Sequence, residues 1–298
     1  MTDTTALKAG SLFPAEVIPQ LVSKVRGHSS LAKLSNQTPI PFSGTQEMVF
    51  SLDGNASIVG EGEAKPAGKA SVTTKIIKPY KFVYQARITD EFKYASEEKQ
   101  LNYLQAFIDG FAKKIAYAFD VAAIHGVEPK SLTDASFKAT NSFDGVVTDN
   151  VVTYAEASFD DNLDSAVATV RSNGNDVTGM ILSTVGGTAL GKINDKSGQS
   201  VYPEFKFGQN PDKFFGMGSD INKTLTAAGE KDHAIVGDFE SAFKWGYSEQ
   251  IPLEVIEYGD PDGAGRDLKA HNEILLRAEA YIGWGILVPE AFARVKEA

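Results

Sequence analysis

The sequence predicts an α+β fold in which a compact α/β block, about residues 141–250, interrupts a region built from strands and one long helix. Three observations predict it. One apolar stripe keeps helical spacing from about Ala95 to Ile124. Within 45–77, two alternating segments flank a long middle rich in glycine and charge. After Ser131, short apolar runs alternate with helical patterns, the texture of an α/β unit.

Taken in order, Phe13, Val17, Leu21 and Val25 form the first helical stripe, with Pro14 and Glu16 suited to a first turn and Gly27 to a stop. Pro19 makes this helix short or bent, and its apolar face suits either its own core or a neighbouring chain. Met48, Phe50 and Leu52 alternate, as do Val72, Thr74 and Ile76, the pattern of half-exposed strands. With the polar stretch Asp53–Lys69 between them they make a long hairpin. A hairpin standing alone is marginal in water, so this one needs support from its own chain or from another subunit.

Leu101, Leu104, Ile108, Phe111, Ile115, Ala118 and Ala122 step by three and four along the long helix. Ser96 suits its cap, Glu97 and Glu98 its first turn, and Gly126 its end. Thirty residues at about 1.5 Å each give a rod of about 45 Å, long beside a mean helix of about a dozen residues. A single stripe flanked by strands favours packing on a sheet over a coiled coil, and Gly110 marks a bend or a close contact. In the block, Phe159, Leu163, Val167 and Val170 share a helical face closed by Asn173 and Gly174. Gly179–Ser183 and Ala234–Asp238 are buried strands, Val185–Ile193 is a short helix, and Lys244–Gln250 is a third strand. Leu253–Tyr258 and Asn272–Gly283 are long strands joined by Gly259–Asp267, before a closing segment Val288–Arg294.

Composition narrows the function. A net charge of −10 with no basic run argues against gripping nucleic acid, which needs clustered Lys and Arg. Zero cysteines exclude disulfides, thiolate nucleophiles and Cys-based zinc or iron–sulfur sites. No apolar stretch approaches the roughly 18 residues of a membrane helix, and Met1–Gly10 lacks the apolar centre of a signal peptide. The expectation is a soluble, acidic, intracellular chain. Gly186-Gly-Thr-Ala-Leu-Gly191-Lys192 fits the phosphate-loop spacing after a buried strand, but Ile193 stands where a magnesium-binding Ser or Thr belongs. A phosphate-binding α/β enzyme is therefore the weaker reading. Neither G-x-G-x-x-G, G-x-S-x-G nor H-E-x-x-H occurs. His28, His125, His233 and His271 lie far apart, and each reads better as a buried, hydrogen-bonded core residue than as a metal ligand. Asp160, Asp161 and Asp164 complement a helix start. Asp260, Asp262 and Asp267 match a calcium loop only loosely and read as a turn with solvated charges. No catalytic residue, cofactor or metal is expected.

The order of parts carries a resemblance. An arm and a two-stranded loop containing Ile58-Val-Gly-Glu-Gly-Glu63 precede Ile77-Lys-Pro-Tyr-Lys-Phe-Val-Tyr84 and Arg87-Ile-Thr-Asp-Glu-Phe92. The long helix ends in Phe119-Asp-Val-Ala-Ala-Ile-His-Gly126, and Leu276-Arg-Ala-Glu-Ala-Tyr-Ile-Gly-Trp-Gly-Ile-Leu-Val-Pro-Glu-Ala-Phe292 closes the chain. In this order, over essentially the whole chain, they resemble the major capsid proteins of tailed bacteriophages with the Hong Kong 97 fold. The resemblance implies an N-terminal arm (1–44), an extended β-hairpin loop lying over a neighbouring subunit (45–77), and a peripheral domain (78–140) with a spine helix over 95–125. An inserted α/β axial domain (141–252) would surround fivefold and sixfold axes. Long peripheral strands (253–287) and a C-terminal segment returning to the axial domain (288–298) would complete the chain.

It further implies a subunit that self-assembles into pentamers and hexamers of an icosahedral or prolate head shell around double-stranded DNA, built in the host cytoplasm and found in the virion. Scaffold, portal and decoration proteins are the implied partners. Packaged DNA would meet the inner face without sequence reading, and no membrane is involved. About 40 residues precede the loop, which implies a separate scaffold or none. Lys65, Lys69 and Lys75 lie in the loop, but no pattern marks an acceptor Asn or a catalytic Glu, so covalent cross-links are not expected. A cellular nanocompartment shell of the same fold is the alternative, and the long charged loop favours the phage. Glu61, Glu63 and Lys65 cluster on an element with no core of its own and are expected to pair with another subunit. Asp262 and Arg266, opposite charges on one small loop, are expected to pair cyclically around a threefold axis.

Overall fold

The computed structural model describes residues 24–25, 27–53, 56–248 and 253–298. The helix expected over 13–26 lies outside these residues apart from Lys24 and Val25, which are helical. A short helix α1 (Ser30–Leu34) leads to the hairpin strands β1 (Thr45–Asp53) and β2 (Lys69–Ile77), then to β3 (Pro79–Thr89) and the long helix α2 (Glu97–His125). Two one-turn helices follow, α3 (Lys138–Asn141) and α4 (Phe143–Val146). The inserted block holds β4 (Val151–Thr153), α5 (Phe159–Ser172), β5 (Gly179–Leu182), α6 (Thr184–Lys192), β6 (Lys213–Phe214), β7 (Met217–Ile221) and β8 (Asp232–Gly237). The chain closes with β9 (Phe243–Tyr247), β10 (Leu253–Ile256), β11 (Glu273–Ile286) and β12 (Phe292–Lys296).

One sheet is organised by β11, a 14-residue strand. β3 pairs with it antiparallel from Glu273↔Thr89 to Gly283↔Pro79. On the other side β10 takes its first half and β9 its second. The long helix lies on this sheet. Its buried stripe includes Leu104, Ile108, Phe111, Ile115 and Phe119, and the Phe119 ring sits 5.4 Å from Trp245 and 5.7 Å from Trp284. Burying a side chain of this kind contributes about 1.5–3 kcal/mol, far above the few tenths available from helix propensity, so packing holds the rod against the strands. Ser96 occupies the N-cap position, but its side chain makes no capping bond. Gly126 ends the helix with φ 63°, its N–H donating to the Ala122 carbonyl at 2.9 Å. Gly110 lies on the exposed face, and among the described residues nothing stands within 4 Å of where its Cβ would be, so they supply no close contact there.

The second sheet has six strands in the order β4-β12-β8-β5-β7-β6. It is a wall between two cores. Met180, Leu182, Ala234, Val236, Ala293 and Val295 face α5 and α6, where they meet Phe159, Leu163, Val170 and Leu190. Ile181, Ile235 and Phe292, the alternating residues, face the core that includes the long helix. Strands buried on both faces read as continuous apolar runs, which is how β5 and β8 announce themselves in the sequence.

One placement differs from the expected order. Lys244–Gln250 was expected as a strand of the inserted block, yet β9 pairs with β11, Trp245 opposite Trp284, and so belongs to the first sheet. A buried apolar run carries no mark of which sheet it joins. What fixes it is Gly246: a Cβ there would stand 1.7 Å from the Thr38 carbonyl, and the arm residues Thr38 and Ile40 donate to the carbonyls of Trp245 and Tyr247. The closing segment supplies β12, which runs parallel to β4 and antiparallel to β8 in the six-stranded sheet.

Candidate assembly surfaces

The β1–β2 hairpin has a regular antiparallel register in which Met48 faces Thr74, Phe50 faces Val72 and Gln46 faces Ile76. Alternation therefore puts Met48, Phe50, Val72 and Ile76 on one face. They are 76, 61, 56 and 58 % exposed. Among the described residues only the base is anchored: Ile77 is buried, Gly285 leaving the room it fills, and Lys244 reaches Glu47 at 2.8 Å. The rest is an apolar strip that the described residues of its own chain leave uncovered. At the far end Glu61, Glu63 and Lys65 are all exposed. Glu63 accepts from the Gly60 N–H at 3.1 Å, while Glu61 and Lys65 have no partner among the described residues.

The 259–271 loop is drawn together by an arginine that local pattern did not single out. Arg87, on β3, donates from Nη2 to Asp260 at 2.5 Å, from Nε to Asp262 at 2.8 and 3.0 Å, and from Nη1 to Glu273 at 3.0 Å. The hydrogen bond from Arg87 holds the Asp262 carboxyl well below the usual carboxylate range. Asp260 also accepts the Ala264 and Gly265 N–H groups, and Asp267 those of Gly259 and Ala270. Solvated turn charges were expected here; instead a guanidinium takes the central place that a cation would hold in a calcium loop. Asp262 and Arg266 are not paired with each other: Arg266 reaches Glu273 at 2.6 Å. Both have partners in their own chain.

A buried joint fastens the long helix to the six-stranded sheet. Arg294, on β12, donates to Asp232 on β8 at 3.0 and 2.7 Å and to Asp144 on α4 at 2.6 Å. Asp144 in turn meets His125 Nδ1 at 2.9 Å, and His125 Nε2 lies 2.8 Å from the Thr224 carbonyl. His125, Asp144 and Asp232 offer ligand atoms within 4.8 Å of one another, but Arg294 already supplies the cation between the two carboxylates. Nearby, Asp120 accepts from Ser29 Oγ at 2.6 Å, the Ser30 N–H at 2.9 Å and Asn222 Nδ2 at 3.1 Å, tying arm, helix and β7 region together. The partners lie between 19 and 150 positions apart along the chain, beyond any local signal.

Of the four histidines, His125 and His233 are buried and hydrogen-bonded as expected, whereas His28 and His271 are exposed. The phosphate-loop match is not a loop. Gly186–Lys192 lies inside α6, capped by Ser183, whose Oγ accepts the Gly186 N–H at 2.9 Å. A Cβ on Gly186 would stand 2.8 Å from the His233 carbonyl, so that glycine serves helix–sheet packing. Lys192 pairs with Glu156 at 2.7 Å.

Comparison with known proteins fits this geometry. A protein of Mycobacterium phage L5 named "Probable major capsid protein gp17" is 23% identical over 277 residues, 90% of this chain and 83% of that one. A solved structure from Mycobacterium phage Ogopogo matches with a TM-score of 0.77 at 31% identity, covering 91% of this chain and 92% of that chain. One from Gordonia phage Cozz matches with a TM-score of 0.72 at 26% identity, covering 91% and 87%. The α+β capsid fold of Hong Kong 97 type, expected from the order of parts, is the fold found. The model of the phage capsid family matches residues 9–296, and the chain belongs to that family.

Proposed function

We propose that this chain is a major capsid protein whose copies assemble, as pentamers and hexamers, into the head shell enclosing phage double-stranded DNA. The observation that carries the reading is the hairpin: in a chain of the capsid family, an anchored two-stranded hairpin presents an apolar face that the described residues of its own subunit do not cover. Exposed apolar strips of this kind mark association surfaces, and contacts repeated between identical copies close into a shell when the angles permit. Its role is architectural, without catalysis; scaffold, portal and decoration proteins are its further partners, and assembly takes place in the host cytoplasm. Phage relatives favour a head shell over a nanocompartment. The net charge of −10 suits a wall that does not trap packaged DNA.

The part names follow: 45–77 the extended loop, 78–140 and 253–287 the peripheral domain, 141–252 the axial domain and 288–298 its last strand, with β9 lying in the peripheral sheet. Glu61, Glu63 and Lys65 pair with another subunit at the loop tip. Asp262 and Arg266 act as a loop preformed by Arg87 and Glu273 at a threefold contact; R266A shells that resist salt and heat like the parent would remove that role. Electron microscopy of the purified chain, alone and with a scaffold, tests the whole reading. Regular closed shells are expected, and a chain that stays monomeric under every assembly condition would refute it.

A further inference from the structure

Two phenylalanines stand where the backbone disfavours them. Phe215 and Gly216 are the central residues of the turn joining β6 to β7, and both have positive φ, 48° and 84°. A two-residue hairpin turn with both φ positive is of type I′, which favours Asn-Gly because Asn tolerates the left-handed region. Phe207 and Gly208 repeat the arrangement at φ 57° and 76°. Neither ring is buried in compensation: Phe207 is 100 % exposed and Phe215 78 %. Strain of the backbone together with exposure of an aromatic ring, twice in one stretch, does nothing for the folding of the subunit, and stored strain of this sort belongs to contact sites. The Phe215 ring rests 4.5 Å from Phe214 and 6.3 Å from Tyr202, and Phe214 rests 4.9 Å from buried Phe205. A ring already held by its neighbours loses little freedom when it is covered, which is the property of an interface anchor.

We infer that Phe207 and Phe215 are aromatic anchors for a neighbouring copy of this chain, Phe215 presented at the β6 edge of the six-stranded sheet and Phe207 in the segment that leads into that strand. β6 ends the strand order, so its outer side has no strand partner among the described residues, and an open edge with an apolar rim is a surface that proteins cover. The inference rests on the shell reading, which supplies the occupant: a shell packs each subunit against further copies of the same chain. Within a ring such a contact is heterologous, each copy giving its aromatic pair and receiving that of another.

The test uses F207N, F215N and the double variant beside the wild-type chain. Asn suits the left-handed turn better than Phe, so the thermal midpoint of the unassembled subunit holds or rises, while assembly weakens by about tenfold or more. Lower midpoints in the Asn variants would assign the rings to the subunit's own fold and overturn the inference. Shells of the double variant with wild-type yield and dissociation would overturn it while leaving the shell reading intact. F215W adds a direct readout: its emission shifts to the blue when shells form, and an unshifted emission in assembled shells also overturns it. If the wild-type chain forms no shells at all, the shell reading falls and the inference falls with it.

Discussion

Both ring nitrogens of His125 face acceptors, the Asp144 carboxylate and the Thr224 carbonyl, and only the imidazolium donates to both. With His125 charged, the joint holds two cations, His125 and Arg294, against two carboxylates, Asp144 and Asp232. A neutral His125 would leave an excess negative charge in a buried site, where charge is expensive unless paired. Burial, the largest single influence, opposes the charge on His125, but the hydrogen bond and charge of Asp144, the Thr224 carbonyl and the charge of Asp232 together outweigh it and hold the pKa above the ordinary histidine value. One turn and a half earlier on α2, burial pushes Asp120 up to about 7 despite its donors Ser29 and Ser30, with Asp220 adding a like charge. Both groups hold a proton more readily in the folded chain than in the unfolded one, so stability falls as pH rises. For Asp120 the loss runs between about pH 4 and 7, and for His125 from about pH 6.5 upward through its raised value. The urea midpoint of the subunit is therefore expected to fall as pH rises from about 5 to 8. H125Q should flatten the upper part of that slope and D120N the lower, and a slope indifferent to both changes would exclude the account. Removing one member of a buried ion network costs about 3–5 kcal/mol, so H125Q should also be the less stable protein at pH 6.

At the scale of elements, Gly110 is a helix-interior glycine with nothing within 4 Å of its Cβ position among the described residues. G110A is expected to stabilise the isolated subunit by about 1 kcal/mol, a rise of about 2–3 °C in thermal midpoint for a chain of this size. A stabler subunit that assembles poorly would place a neighbour against this face. The long helix, the hairpin and the strands β5, β8, β10 and β11 were legible because each has its own periodicity or continuous apolar run. Boundaries moved by only a few residues, as with β11, which runs on to Ile286. What could not be read is what depends on pairing across the chain. β9 looks like any buried strand until Gly246 is seen under the arm, and β4 and β6, of three and two residues, are too short to show a period. The same holds for the sites. The charge on the hairpin tip and on the 259–271 loop stood out, while Arg87, which organises that loop from 173 to 179 positions away, carries no local mark. The Asn-Gly rule gave a signal that was readable in principle: Phe-Gly occurs twice, at 207–208 and 215–216, in places where a turn former is expected.

At the scale of the whole molecule, magnitudes decide which part of the hairpin grips a neighbour. The tip offers exposed charges, and exposed ion pairs contribute about 0–1 kcal/mol each, less in salt. The strip offers four apolar side chains, each more than half exposed, and burying such a side chain contributes about 1.5–3 kcal/mol. Covering three of them thus outweighs a full set of tip pairs by several-fold, and a shell repeats the difference at every subunit. The apolar strip should hold the arm down, and the tip should set its register. The triple variant M48S, F50S, V72S is accordingly expected to fold with stability within about 0.5 kcal/mol of the parent, since exposed positions rarely matter more, yet to form no shells. E61K with E63K should still form shells, but shells whose yield depends more steeply on salt. If the serine variant assembles normally while the charge reversal abolishes assembly, the tip is the grip and the strip is covered by something else.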